Sequence, residues 1–338
     1  MKQSRKQKTA ESKKTNIFYK IGLTDRKKLN RDKIHKILYG SREKDGLIKK
    51  TVVYALLICI GFVYLYPLLY MISNSFMSLD DLLDTSVSWI PGSLYLQNYK
   101  QAAISMEYAK SLLHSIVIAG VPTLLNVVIC AIVGYGFARF RFRGKRILMA
   151  LLIFSYIIPP QITMMPTYVL YTDLKLTGTL WSFVLPALTG QGLNAPIFIL
   201  IFYQFFKQVP NALLEAAQID GAGYFKSFVK ISVPSAVPAI ITVLLFSFVW
   251  YWNESYLTQL YISGYFVKGK WTSLMVKLKS FDVNYNTAYA TVDSVTMSNN
   301  EAIRMAATML TILPVLLMYF ILQRYFVESI DRTGITGE

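Results

Sequence analysis

The chain has 338 residues, of which 54% are hydrophobic and 16% charged, and its net charge is +16. A soluble domain carries about 25% charged residues, so this composition excludes an ordinary soluble globule, and a cysteine count of two excludes a disulfide-rich secreted scaffold. The positive charge reads as membrane topology and attraction to anionic lipid rather than as a nucleic-acid footprint.

Reading from one ionisable residue to the next, with His neutral, six stretches carry no charge: 51–79, 111–138, 147–172, 176–206, 231–253 and 305–323. The shortest has 19 residues. As a helix rising about 1.5 Å per residue it spans about 28 Å, close to the hydrocarbon thickness of a bilayer. The economical reading is an all-α integral membrane protein with six transmembrane helices, because the short alternating segments of a β-barrel are missing. Ser255–Val267 is also uncharged but too short and polar to add a seventh span.

In chain order, residues 1–50 form a basic arm with 17 Lys and Arg. The arm lacks the apolar core of a cleavable signal peptide. Up to about Lys14 it reads as disordered. Residues 17–50, with Ile34, Ile37 and Leu38 among many cations, read either as a short helix on the inner membrane surface or as a solvated tail. The transmembrane domain is expected over 51–323 and a cytoplasmic tail over 324–338. Cys59 and Cys130 lie in the first two uncharged stretches and read as small packing residues. Between those stretches, Trp89, Tyr95 and Tyr99 suit a membrane–water interface.

The second stretch ends in GYGFARFRFRGKR, where Gly134 and Gly136 allow close helix approach and the basic run stops translocation. In the third, Pro159, Pro160 and Pro166 predict a kinked helix facing protein or a water-filled path, either as a static bend or as a moving part. The fourth, interrupted by Pro186, Gly190, Gly192 and Pro196, predicts one tilted or broken helix. With 1–50 inside, the inner connections hold 27 Lys and Arg and the outer ones 8, so both termini and the loop 207–230 are expected in the cytoplasm and 254–304 outside.

Catalytic chemistry has few candidates. The two histidines, His35 and His114, stand in no metal-ligand or nucleophile motif. GYFVKGKWT (264–272) approaches a phosphate-binding loop, but Trp271 occupies the place of the Mg²⁺-binding Ser or Thr, and the segment reads as a loop turn. The uncharged stretches contain no acid–base relay for an ion or proton path. If the protein moves a solute, the energy comes from elsewhere, and no metal or cofactor is expected on this chain.

The inner loop reads KQVPNALLEAAQIDGAGYFKSFVKISVP (207–234). Pro210 suits the first turn of a helix. Leu213, Leu214, Ala217 and Gln218 recur at helical spacing, and Ala216 and Ala217 leave a shallow, approachable surface. Gly221 and Gly223 can take the left-handed conformation that ends a helix, and Tyr224–Lys230 starts another. Such a helix–turn–helix has little apolar surface to bury by itself, so a partner is expected to complete it. A merely amphipathic connector is the alternative.

The spacing E-A-A-x3-G-x9-I-x-L-P resembles the signature of ABC importer membrane subunits. Glu215, Ala216, Ala217, Gly221, Ile231 and Pro234 meet it, and Val233 replaces Leu. The resemblance, which runs over about 51–332, is to the maltose-type carbohydrate permeases, and to the second of their two membrane subunits. It implies a type I importer permease fold and a docking helix seated in a cleft of an ATPase subunit. In that helix Glu215 makes polar contacts, Ala216 and Ala217 allow close packing, Gly221 makes the turn, and Asp220 belongs to the same surface.

The implied partners are a homologous second permease, two ATP-binding cassette subunits that hold ATP and Mg, an extracellular sugar-binding protein and membrane lipid. The expected function is import of a di- or oligosaccharide across the bacterial cytoplasmic membrane by alternating access, with no catalysis on this chain. The resemblance further implies that Asn284–Asn300, with Tyr285, Asn286 and Tyr289, either displaces sugar from the binding protein or only docks it. The outer segment is longer, and the tail ESIDRTGITGE different, from the family's usual pattern. A permease for a polyamine or phosphate, or a non-transporting scaffold or sensor, stays open beside this reading.

Overall fold

The computed structural model describes residues 38–41, 44–84, 86, 89–263, 271–289 and 299–335, with side chains described up to Arg324. Most of the arm segment 17–50, namely 17–37, 42 and 43, and residues 264–270 of the near-phosphate-loop segment 264–272 lie outside the described residues. The chain divides into two compact units, residues 1–70 and 71–338. In the first, Gly40–Ser41 pairs antiparallel with Lys44–Asp45, and helix α1, Leu47–Ser75, begins. Its rings repeat at i, i+4, with Phe62–Tyr66 and Tyr66–Tyr70 centroids 5.9 and 6.4 Å apart. The large apolar side chains along it are exposed, and so is Cys59, which therefore lacks the packing role expected of it.

The second unit is helical. Helices α2 (Gln97–Ser105) and α3 (Tyr108–Arg139) lead to α4 (Lys145–Ile157), α5 (Pro160–Asp173), α6 (Trp181–Leu188) and α7 (Ala195–Gln208). Then come α8 (Asn211–Ile219), α9 (Val237–Asn253), α10 (Leu274–Lys279), α11 (Phe281–Ala288) and α12 (Glu301–Ile335). The central member is α3. Its buried residues Ser111, Ser115, Ile118, Pro122, Asn126, Cys130 and Gly134 run down one face at steps of three or four, the small-residue stripe by which membrane helices approach one another. One core forms around its first half with α2, α10, α11 and α12. A second forms around its last half with α7 and the start of α9.

Close approach is most severe at Gly134, where an added Cβ would lie 2.6 Å from Phe202 Cβ and 3.0 Å from the backbone of Ile199 and Tyr203. Backbone cannot step aside as a flexible side chain can. Gly134→Leu is therefore expected to cost about 1–3 kcal/mol by overpacking and to lower the thermal midpoint of the detergent-solubilised protein. Gly136→Leu, with nothing within 4 Å of the new Cβ, should leave that midpoint in place.

The kink expected in the third uncharged stretch is instead a full break, with α4 and α5 meeting at 94°. Pro160 comes directly after Pro159, and both Ile158 and Pro159 are extended. A residue before proline is pushed out of the helical region and proline donates no hydrogen bond, so two prolines in succession end the helix. The fourth stretch is also broken, into α6 and α7. Asn126 Nδ2 donates to the Leu193 carbonyl at 3.2 Å and the Leu193 N–H donates to the Tyr251 hydroxyl at 3.0 Å, fixing the intervening turn. Cys130 is buried in the wall of this turn, as its packing role required.

Among the described residues three helices are long and apolar enough to cross a membrane: Leu47–Ser75, Tyr108–Arg139 and Glu301–Arg324. Three bent pairs, α4 with α5, α7 with α8, and Tyr224–Ser235 with α9, bring the number to six if each pair counts once.

Candidate functional site

The loop 207–230 is built from the end of α7 outward. Gln208 closes α7, Val209 and Pro210 are extended, and the chain turns 72° into α8. Pro210 is the residue before the first turn, one position earlier than expected. Its fixed φ still sets the entry angle.

At the other end Gly221 takes φ +78°. The Ala222 N–H donates to the Ala217 carbonyl at 2.8 Å and the Gly221 N–H to the Gln218 carbonyl at 3.0 Å. These are the two bonds of a Schellman ending, which satisfies carbonyls that a helix terminus leaves open. Gly223 does not share the expected left-handed conformation. Its φ of −68° and ψ of 169° make it the extended residue before the short helix Tyr224–Ser227. After that helix come a single π-helical turn, Phe228–Ser232, and a final turn, Val233–Ser235, before α9.

Only Leu214 of α8 is buried. Glu215, Ala216, Asp220 and Gly221 are exposed, Ala217 and Ile231 are half-buried, and Pro234 is exposed. Leu213, Ile219, Tyr224 and Phe225 are also exposed, Ile219 at 86% and Phe225 at 79%. Among the described residues Glu215 and Asp220 have no ion-pair partner. The surface is thus apolar at its large side chains, shallow at its alanines and glycines, and acidic at two points.

The contacts that hold this surface on the helices behind it involve residues the sequence did not single out. Arg139, the last residue of α3, donates from Nη1 to Asn211 Oδ1 at 2.7 Å and from Nη2 to the Val209 carbonyl at 2.5 Å. Its forked guanidinium joins the end of α3 to the entry of α8 in two directions at once. Beside it the Tyr135 ring meets Phe206 at 5.4 Å, Phe228 at 4.7 Å and Phe140 at 6.1 Å. Phe140 in turn meets Tyr224 at 5.5 Å. The sequence shows Arg139 only as one cation in a basic run, because nothing in its spacing pairs position 139 with 209–211.

The second predicted site divides. Tyr285 is 1% exposed, packed between Phe281 and Tyr289 with centroids 6.0 and 4.8 Å away. It is a core residue of α11, and its ring face is not offered to a ligand as expected. Asn286 is exposed and Tyr289 half-buried. Residues 290–298 of that segment lie outside the described residues. Asp282 holds α11 to α12 through Arg304 at 2.8 Å and Asn299 at 2.7 Å.

Residues 126–332 match the family model for the "binding-protein-dependent transport system inner membrane component". An osmoprotective compounds uptake permease protein of Synechocystis is 28% identical over 304 residues, covering 86% of this chain and 94% of that one. A polygalacturonan/rhamnogalacturonan transport system permease protein of Bacillus subtilis is 26% identical over 288 residues, covering 84% and 97%. Among solved structures, a bacterial ABC transporter involved in the import of the acidic polysaccharide alginate has a chain that matches with a TM-score of 0.69 at 23% identity. The match covers 85% of this chain and 98% of that one. At that identity the likeness establishes the fold, that of an ABC importer's membrane subunit.

Proposed function

From the premise that the chain belongs to the family of binding-protein-dependent transport system inner membrane components, we propose that it is the permease subunit of an ATP-driven carbohydrate importer, moving a di- or oligosaccharide by alternating access. The observation that carries the coupling half of this reading is the exposed, acidic and apolar surface of α8 held on α3 by Arg139. Such a surface needs a protein partner. In this reading the partner is an ATP-binding cassette subunit, which supplies the ATP and Mg chemistry. Glu215 and Asp220 meet cationic groups of its cleft, Ala216 and Ala217 let the backbones approach, and Gly221 sets the exit. Ile231 and Pro234 fix the return into the membrane.

The complex contains a second, homologous permease, two ATPase subunits and an extracellular sugar-binding protein. The chain crosses the bacterial cytoplasmic membrane six times with both termini inside, the bent pairs each serving as one span. Asn286 and Tyr289, in and just after α11, face the binding protein.

The carbohydrate half of the reading rests on the polysaccharide relatives, and the osmolyte-permease relative favours a small compatible solute as the second reading. Reconstituted transporter with its binding protein should hydrolyse ATP faster when given an oligosaccharide than when given glycine betaine, spermidine or phosphate. Stimulation by one of the last three alone would replace the carbohydrate reading. No stimulation by any solute, with the ATPase bound, would favour a scaffold.

A further inference from the structure

At the opposite end of α3 from Arg139, about 45 Å away along a helix of 32 residues, the described residues form a second feature, an open cleft. A cavity of about 330 Å³ is lined by Lys110, Gln259, Trp271, Thr272, Lys277 and Asn284, with serines and two valines between them. The volume lies at the lower end of the range for small-molecule sites, about 300–1,000 Å³.

The lining is polar. Asn284 gives its Nδ2 hydrogens to the Lys277 carbonyl at 3.0 Å and Ser280 Oγ at 3.3 Å, leaving Oδ1 to accept. The Gln259 carboxamide has no side-chain partner among the described residues. Trp271 is fixed by its ring contact with His114, 4.8 Å between centroids. A Gln259 carboxamide that can donate and accept, the Asn284 Oδ1 acceptor, the Thr272 hydroxyl and one indole are the groups that match the vicinal hydroxyls and apolar ring face of a sugar.

The two ammonium groups do not stand free. Glu107 sends Oε1 to Lys277 Nζ at 2.7 Å and Oε2 to Lys110 Nζ at 3.3 Å. Its backbone is held at φ 46°, the left-handed region that non-glycine residues rarely adopt, and that conformation starts α3 with the carboxylate on both lysines. Lys277 keeps the Glu107 carboxyl below the usual carboxylate range, so the clamp stays ionised near neutral pH. One carboxylate thus already occupies the position in which two lysines would bind a ligand's carboxylate.

We propose that this cavity is a transit site for an uncharged saccharide, and that Glu107 sets that specificity by holding both lysines. The proposal rests on the carbohydrate reading above and assigns to this subunit a sugar contact of its own. It predicts that Glu107→Gln releases the ammonium groups and turns the preference toward acidic sugars.

The test is saturation-transfer NMR on the assembled transporter in lipid nanodiscs without binding protein, using maltotriose and trigalacturonate as probes. Wild type should give a maltotriose signal. Gln259→Ala, which removes no internal hydrogen bond, should weaken it severalfold with the elution profile intact. Glu107→Gln should raise the trigalacturonate-to-maltotriose ratio about fivefold or more, as expected for one unit charge removed at about 4 Å in water.

Equal signals in wild type and Gln259→Ala, or an unchanged ratio in Glu107→Gln, overturn the transit site. If saccharides still stimulate ATP hydrolysis in that case, the importer reading stands without it. If no saccharide stimulates the wild-type complex, the carbohydrate reading has failed first.

Discussion

Gly221→Val should strip the ATPase subunit from this chain while leaving the chain in the membrane. The residue sits at φ +78° with nothing within 4 Å of an added Cβ, so the substitution acts through backbone strain alone. A β-branched residue in the left-handed region costs about 1–2 kcal/mol, and escaping that cost means giving up the Ala222–Ala217 and Gly221–Gln218 bonds that end α8. Either way Glu215, Ala216 and Ala217 no longer meet a rigid cleft together. Co-purification of the ATPase through a tag on this chain should fall roughly 5- to 30-fold, the binding equivalent of that energy.

A graded series makes the result specific. Gly221→Asn, a residue that tolerates the left-handed region, should retain most of the partner, and Gly221→Ala should fall between Asn and Val. Full retention in the Val variant would mean that the motif is a connecting loop here and that the partner is held elsewhere.

Arg139→Ala should have the complementary effect, sparing assembly and impairing transmission. The variant removes two hydrogen bonds from a charged donor, each worth about 1.5–3 kcal/mol, and leaves the Val209 carbonyl without its guanidinium. The face of α8 that carries Glu215 is untouched, so the ATPase should still co-purify. Solute-stimulated ATP hydrolysis should fall toward the basal rate and uptake by on the order of tenfold or more, because α8 can then pivot at Pro210 without moving α3. Arg139→Lys should be intermediate, since an ammonium is a point charge that cannot hold two acceptors in the same fork. Stimulated turnover equal to wild type in Arg139→Ala would show that force reaches the membrane helices by the Tyr135, Phe206 and Phe228 rings instead.

The two variants separate questions that the sequence answers to different degrees. Glu215 through Gly221 could be read directly because the features that single out this segment are local. A helix of nine residues, its small face and its glycine ending all lie within one continuous segment, and each depends on neighbours three or four positions away. Arg139 could not be read, since its partners are 70 and 72 residues distant. Tyr285 was misjudged for the same reason. An aromatic residue in a polar segment reads as a surface group, and only the packing of its ring between Phe281 and Tyr289 in the core around α3, with the α12 contact through Asp282, turns it inward.

Composition and short-range stereochemistry were enough to read the helices and the helix–turn–helix of the inner loop from the chain alone. Uncharged stretches long enough for a bilayer call for helices; of the glycine pairs 134/136 and 221/223, the first member of each makes the expected close approach or helix end and the second does not; and the segment from Glu215 to Pro234 carries the resemblance to the family. How those pieces act together was left to tertiary structure. It turned the third stretch at Pro159–Pro160 through 94° where a kink was expected, pinned the break before α7 with Asn126 and Tyr251, and placed Arg139 under α8. It also brought Glu107 onto Lys277, 170 residues away. These are contacts between groups far apart in the chain. Their geometry is set by which helices share a core, and no periodicity or local propensity encodes that choice.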